Sequence, residues 1–247
     1  MKRCQLFAIG LGVYAFGVIA TAPATLIDAG LQRISQGKLR LVEAQGTLWS
    51  GSGQIEIRDS SGRTGVAKSF AWQILPQSLL RGYLVCQVKL EQATKPFPVT
   101  ISLSGVELAN ADISLPATAL GLGVPKLAPL GLTGELLLHV ASLSIEDKQT
   151  RGNVTLQWRG AGSVYTTISP LGDYEVKLDA DGITSNALLR TLQGPLQLDG
   201  KGSWANGGKP DFLAIAQVPP QHQQQLDPLL RLIAVERGAG SFELQYK

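Results

Sequence analysis

From residue 38 onward apolar residues return at every second position, and this period constrains the fold more than any other feature of the chain. Val99, Ile101 and Leu103 alternate with Thr100, Ser102 and Ser104; Val154, Leu156 and Trp158 alternate with Thr155, Gln157 and Arg159. The same pattern runs through Tyr174, Val176 and Leu178, and through Phe242, Leu244 and Tyr246. Side chains of a strand point alternately to its two faces, so each segment has one apolar and one wet face. Antiparallel sheets with one solvated side read this way, whereas buried parallel strands read as continuous apolar runs. Asp59-Ser60-Ser61-Gly62, Asp179-Ala180-Asp181-Gly182 and Asn206-Gly207-Gly208 supply turns between strands.

Ahead of the strands, Cys4 to Ile27 carry no charge and lie between Lys2-Arg3 and Asp28. A helix needs about 20 apolar residues to cross the hydrocarbon core, and this run is long enough. The positive flank holds the N-terminus in the cytoplasm and sends the chain after residue 27 across the membrane. Ala20-Thr21-Ala22 also has the small-x-small form of a signal-peptide cleavage site, which makes a cleaved secretory signal the rival reading. Pro23 would then stand just after the cut, where proline is a poor substrate. The expectation is therefore an uncleaved transmembrane anchor over 4–22. A tail at 1–3 precedes it, a helical juxtamembrane segment at 23–37 comes after it, and 38–247 form a β-rich domain.

Helices are few. Thr25 to Ser35 places Leu26, Ile27, Leu31 and Ile34 on roughly one face, suited to a membrane surface or to the sheet. Ser185 to Gln193 carries a capping serine and a Gly194-Pro195 stop, so the signals predict a helix there. Gln223 to Val235 is a third helix, which Pro228 allows to be two pieces. Leu-Leu-Arg recurs at 79–81, 188–190 and 229–231, each time ahead of a glycine and an alternating strand, as a weak repeat of short helix, glycine and strand would. Pro116 to Gly131 reads as a loop that could divide the β-rich part into halves, 38–116 and 131–247.

Composition weighs against catalysis. The chain has 2 His and 2 Cys in 247 residues, and its net charge of +3 is too mild to argue for nucleic acid. His139 sits opposite Leu136, Leu138 and Val140 and reads as a surface strand residue; His222 lies in a glutamine-rich stretch with sparse partners. Neither has a second ligand at metal spacing. Asp179-Ala180-Asp181-Gly182 opens like a calcium loop but lacks the later ligands, and Gly200-Lys201-Gly202-Ser203 lacks the glycine that should open a phosphate loop. Asn153-Val154-Thr155 is a chance-frequent glycosylation sequon. Cys86 shares the apolar face of Leu84, Val88 and Leu90 and reads as an inert thiol. Trp72, Trp158 and Trp204 fall in phase with their strands' apolar faces. Trp49 shares a face with Gly51 and Gly53, as a ring packed over glycines or an exposed aromatic platform would. No catalytic, cofactor-binding or metal-binding residue is expected.

Ala22-Pro23-Ala24-Thr25-Leu26, Gly46-Thr47-Leu48-Trp49-Ser50-Gly51, then Trp72-Gln73-Ile74-Leu75-Pro76 with Leu79-Leu80 and Gly82, resemble successive blocks of the type II secretion system protein N family. The final Gly240-Ser241-Phe242-Glu243-Leu244 suits that family's ending, while residues 91–220 match only in strand character. The resemblance implies a single-pass protein of the Gram-negative inner membrane, with a short cytoplasmic N-terminus and a periplasmic domain. It also implies a non-enzymatic part in moving folded proteins through the type II apparatus, with other inner-membrane or periplasmic subunits as partners. Membrane lipid would be met through the anchor, with no nucleic acid and no cofactor.

The expected fold is thus all-β with one N-terminal transmembrane helix, a curved antiparallel sheet or two packed sheets with a few short helices. A different function class fits the same pattern. An anchored sheet with an apolar face could bind or transfer lipid, and a dry core closed by a second sheet would remove that reading. An anchored hydrolase would need His139 or His222 beside a nucleophile.

Overall fold

Each of these alternating segments is an antiparallel strand in the computed structural model, which describes the chain apart from residues 1–9, 12, 15, 16, 59–63, 92, 94, 148, 207, 239 and 247. The turn expected at Asp59 to Gly62 lies outside the described residues. The chain divides into two units, Met1–Glu91 and Gln92–Lys247.

In the first unit, helix α1 (Thr25–Ile34) leads into strands β1 (Leu39–Gly46), β2 (Ser50–Arg58), β3 (Thr64–Leu75) and β4 (Tyr83–Leu90), each antiparallel to the next. A 3-10 turn, Pro76–Arg81, joins β3 to β4. Of the two places open to α1, it takes the sheet: Ile27 and Leu31 pack on a core of Ala24, Leu41, Trp72 and Ile74, while Leu26 stays exposed. Asp28 ties helix to strand. Its carboxylate accepts the Leu41 N–H at 2.8 Å and a Gln32 amide at 2.6 Å, with Arg40 at 3.7 Å. β1 is the outer strand of this unit, and a bulge between Val42 and Gln45 interrupts it. A carboxylate that occupies an edge N–H and a bulge that bends the strand both blunt an edge against unwanted pairing.

The second unit runs as a meander from β5 (Phe97–Ser102) and β6 (Gly105–Pro116) through β7 (Thr133–Glu146), β8 (Gln149–Gly162), β9 (Gly172–Asp181), β10 (Thr184–Gln193), β11 (Gln197–Ala205) and β12 (Phe212–Gln217). The stretch 116–131 lies inside this unit as a short helix, α2 (Ala119–Gly123), and a 3-10 turn, Pro125–Leu130. After β12 the chain forms α3 (Gln223–Ile233) and returns as β13 (Val235–Gly238) and β14 (Ser241–Tyr246). The final order is β12-β14-β13, which leaves β13 outermost. Register places like with like. Leu115, Leu136, Trp158 and Tyr174 form one row across four strands, and Leu198, Ala216 and Phe242 form another. Leu226, Leu229 and Leu230 of α3 close over these rows, and Phe242 is 0% exposed. Pro228 sits inside α3 without dividing it.

One helix expectation fails. Ser185 to Gln193 is not helical; it lies in β10, paired in register with β9 and β11. Ser185 and Ala187 are buried while Asn186, Leu188 and Arg190 face solvent, so period two is present after all. Pairing on both sides overrides the helical preference of Ala-Leu-Leu-Arg. The Leu-Leu-Arg repeat falls with it, because its copies stand in a 3-10 turn, a strand and an α-helix.

The described residues between 10 and 20 are helical and exposed, among them Leu11, Val13, Tyr14, Val18 and Ile19. Among the described residues no helix is long and apolar enough to cross a membrane. The span expected over 4–22 falls partly outside them.

Candidate functional site

The blocks at 22–26, 46–51 and 72–76, distant in sequence, meet at one end of the first unit. The helix that passes through residue 20 stops short of Pro23, which has no N–H to give the Ile19 carbonyl four residues back. The Trp49 indole supplies a donor instead, with Nε1 2.9 Å from the Ile19 oxygen, beside a 3.3 Å bond from the Ala22 N–H. Leu48 N–H donates to the Ala22 carbonyl at 2.8 Å, Ala24 N–H donates to Gly46 at 3.4 Å, and Pro23 bridges Thr47. Ala22 and Ala24 are buried here, since small side chains let the backbones approach.

The other side of the turn is fastened to β3. Trp72 Nε1 donates to the Leu48 carbonyl at 3.1 Å, and the Ile74 N–H donates to the Trp49 carbonyl at 2.6 Å. Trp72 is 4% exposed, and its ring covers Gly51, its register partner. A Cβ on Gly51 would collide with the Gln45 oxygen and stand 2.5 Å from Trp72 Cζ2. Gly46, at φ +95, closes the turn, and a Cβ there would meet the Ser50 oxygen at 2.5 Å. The glycines that bracket the block thus have steric causes. The niche over Gly51 belongs to Trp72; Trp49 instead reaches out to the helix. Asp28, which locks the edge strand, and Ser78, which braces the 3-10 turn, gave no signal in the sequence because the bonds that do so, to the Leu41 N–H, the Leu75 carbonyl and the Val85 N–H, are to backbone groups.

The remaining candidates separate. On the outer face of the second unit His139 Nδ1 lies 2.7 Å from Asp112 Oδ1, with Thr155 next across the register. His139 and Asp112 are exposed, and Thr155 has no side-chain bond to the imidazole. Among the described residues His222 pairs with Gln221 alone, at 3.3 Å. Asp181 closes the β9–β10 turn by accepting the Ile183 and Thr184 N–H groups at 2.8 and 2.7 Å; those bonds, Thr184 first, hold its carboxyl below the usual range. Asn153 donates to Asp179. Gly200 and Gly202 lie in β11 beneath the Phe212 ring, so their role is packing. Burial pushes the Cys86 thiol up, against a thiol-exchange role. Among the described residues no cluster of His, Cys, Asp and Glu could hold a metal.

Glu175 and Asp173 organise the outer face near the α3 end. Glu175 accepts from Gln157 at 2.9 Å and from Arg190 at 2.7 and 2.9 Å, with Lys177 at 3.8 Å. The Gln157 bond, then Arg190 and Lys177, hold its carboxyl below the usual range against the opposing pull of desolvation. Asp173 accepts the Gly160 N–H and the Gln193 amide, both at 2.7 Å. Beneath them, burial and the Asp173 charge push the Tyr174 hydroxyl well up; it bonds the Leu171 and Leu196 carbonyls.

The outermost strand β13 offers a different chemistry. Val235, Glu236, Arg237 and Gly238 are all exposed, and among the described residues no strand pairs with its far side. Arg237 forks onto Glu243 at 2.9 and 3.1 Å, and a cavity of about 360 Å³ lined by Arg231, Leu232, Val235 and Glu243 runs beside the strand. Unpaired backbone groups next to a recess that mixes charged Arg231 and Glu243 with Leu232 and Val235 are what an added strand recognises.

The family model of the type II secretion system (T2SS), protein N, matches residues 37–245. None of the curated proteins and none of the solved structures matches the chain.

Proposed function

The chain belongs to the type II secretion system protein N family, and from that premise we propose that it is a non-enzymatic, inner-membrane-anchored component of the machine. In this reading residues 4–22 are the single transmembrane helix, 1–3 are cytoplasmic, and 38–247 stand in the periplasm. The observation that carries it is the knot of Ile19, Ala22, Leu48 and Trp49, which fastens an exposed apolar helix to a sheet. Such a joint transmits position: a domain held at the bilayer has a high effective concentration toward neighbouring subunits. Those subunits dock by strand addition on β13, with Val235 and the recess beside it giving side-chain specificity.

The test is a photo-crosslinking amino acid placed at Val235 in the native host, with Asn186 on the outer face as control. Crosslinks from Val235 to a secretion-system subunit, absent from Asn186, are the expected result. Equal labelling at both positions, or none, rejects the edge. Alkaline carbonate separates anchored from peripheral protein, and release into the supernatant rejects the anchor.

A second reading, lipid binding or transfer, is favoured by one observation. The second unit's apolar face is closed near α3 but opens toward the β5–β6 and β7–β8 turns, where Ile101, Leu103, Val106 and Ile145 are exposed. Mass spectrometry of the purified chain tests it: stoichiometric co-purified lipid supports this reading, and its absence removes it.

A further inference from the structure

We propose that the 3-10 turn Pro76–Arg81 is a second membrane contact, entering the headgroup region of the bilayer that holds the N-terminal helix. The proposal rests on the reading of residues 4–22 as an anchor. Hydrogen bonds fix where the turn lies. Trp49 Nε1 binds the Ile19 carbonyl at the helix end, the Trp49 carbonyl receives the Ile74 N–H, and the turn starts at Pro76. An anchor over 4–22 leaves the bilayer at this point, so Trp49 stands at the depth where indoles concentrate. The turn two residues beyond Ile74 shares that end of the unit.

The turn is built to show its leucines. Ser78 is the residue that faces inward: its hydroxyl donates to the Leu75 carbonyl at 2.7 Å and accepts the Val85 N–H at 3.0 Å. Gly82, at φ +80, ends the turn and donates to Leu79 at 3.1 Å. With Ser78 spent on the backbone, Leu80 is 92% exposed, and Leu79 and Leu75 are exposed beside it. A single exposed leucine is ordinary, but a leucine cluster on a rigid turn is not accounted for by packing. Pre-ordering means that little conformational freedom is lost on insertion. Arg81, exposed and donating to the Tyr83 hydroxyl at 3.4 Å, supplies a cation for anionic headgroups at the rim of the cluster. Two contacts on one rigid unit would fix its tilt on the membrane, which one helix cannot do.

The test uses the full chain, with Cys4→Ala and Cys86→Ala, reconstituted in phosphatidylcholine–phosphatidylglycerol vesicles. Nitroxide labels are placed singly at Leu80→Cys, Tyr14→Cys and Lys201→Cys, all exposed positions. Collision with oxygen and with a water-soluble nickel chelate is then measured by electron paramagnetic resonance. The expected result is position 14 in the hydrocarbon, position 201 in water, and position 80 shielded from nickel at about 5–10 Å below the headgroup surface. Position 80 as open to nickel as position 201, with position 14 in lipid, overturns this contact and leaves the anchor standing. Both 14 and 80 in water overturn the anchor reading and the contact with it.

Discussion

Trp72 is the side chain on which the first unit's packing and the joint at residues 46–51 both depend, and removing it in two steps separates those roles. Trp72→Phe keeps an aromatic ring over Gly51 but deletes the Nε1 bond to the Leu48 carbonyl. The net worth of such a bond is about 1 kcal/mol. Trp72→Ala also empties a site now 4% exposed and removes the ring 5.5 Å from Phe70, so the cost rises to about 3–5 kcal/mol. Because the chain has two units, a single denaturation midpoint would blend them. Hydrogen exchange of the full chain in detergent, read on peptides covering 39–58 and 133–162, keeps them apart. With each factor of ten in protection worth about 1.4 kcal/mol, Trp72→Phe should speed exchange over 39–58 by roughly fivefold, and Trp72→Ala by roughly 140- to 3,700-fold. Residues 133–162 should be unchanged in both. Wild-type protection over 39–58 in Trp72→Ala, or equal loss in both peptides, would refute the assignment of Trp72 as the first unit's keystone.

Asp28→Ala leaves the Leu41 N–H without its acceptor and should lower the stability of the first unit by about 1–3 kcal/mol, seen as faster exchange over 25–46. Phe242→Ala, at a site 0% exposed beneath α3, should cost the second unit about 3–5 kcal/mol, read as faster hydrogen exchange over β12 with 39–58 unchanged. Glu175 carries a pH signature. Its folded-state pKa lies below the ordinary 4.5, so its contribution is full above that value and is lost as pH falls through the folded pKa. Glu175→Gln should therefore lower stability near neutrality and flatten the acid limb of the stability curve; an unchanged limb would count against the Gln157 and Arg190 contacts.

The sequence was most legible where side-chain period and burial coincide. Val154, Leu156 and Trp158, Tyr174 to Leu178, and Phe242 and Leu244 all point as their alternation requires, because one face of each strand meets the core. The helix at 223 was legible for the same reason, its leucines spaced to cover Phe242. Ser185 to Gln193 misled because local signals, a serine cap and a Gly-Pro stop, are read from neighbours in sequence. Its strand character comes from pairing with Tyr174–Ala180 and Gly200–Ala205. At the joint, the block from Gly46 to Gly51 was visible but its partners were not. That Trp49 meets Ile19 thirty residues back, and that Trp72 takes the space over Gly51, are consequences of register. The pairing of Asp112 with His139 is likewise a product of register.

The central claim, that this chain serves type II secretion as an envelope component, is tested most directly by deleting its gene in the native host and assaying the culture medium for secreted proteins. Folded cargo is expected to disappear from the medium and accumulate in the periplasm while a periplasmic marker stays inside the cell, with export restored by re-expression of the chain. Undiminished secretion, or loss of cargo together with leakage of the marker, would contradict it.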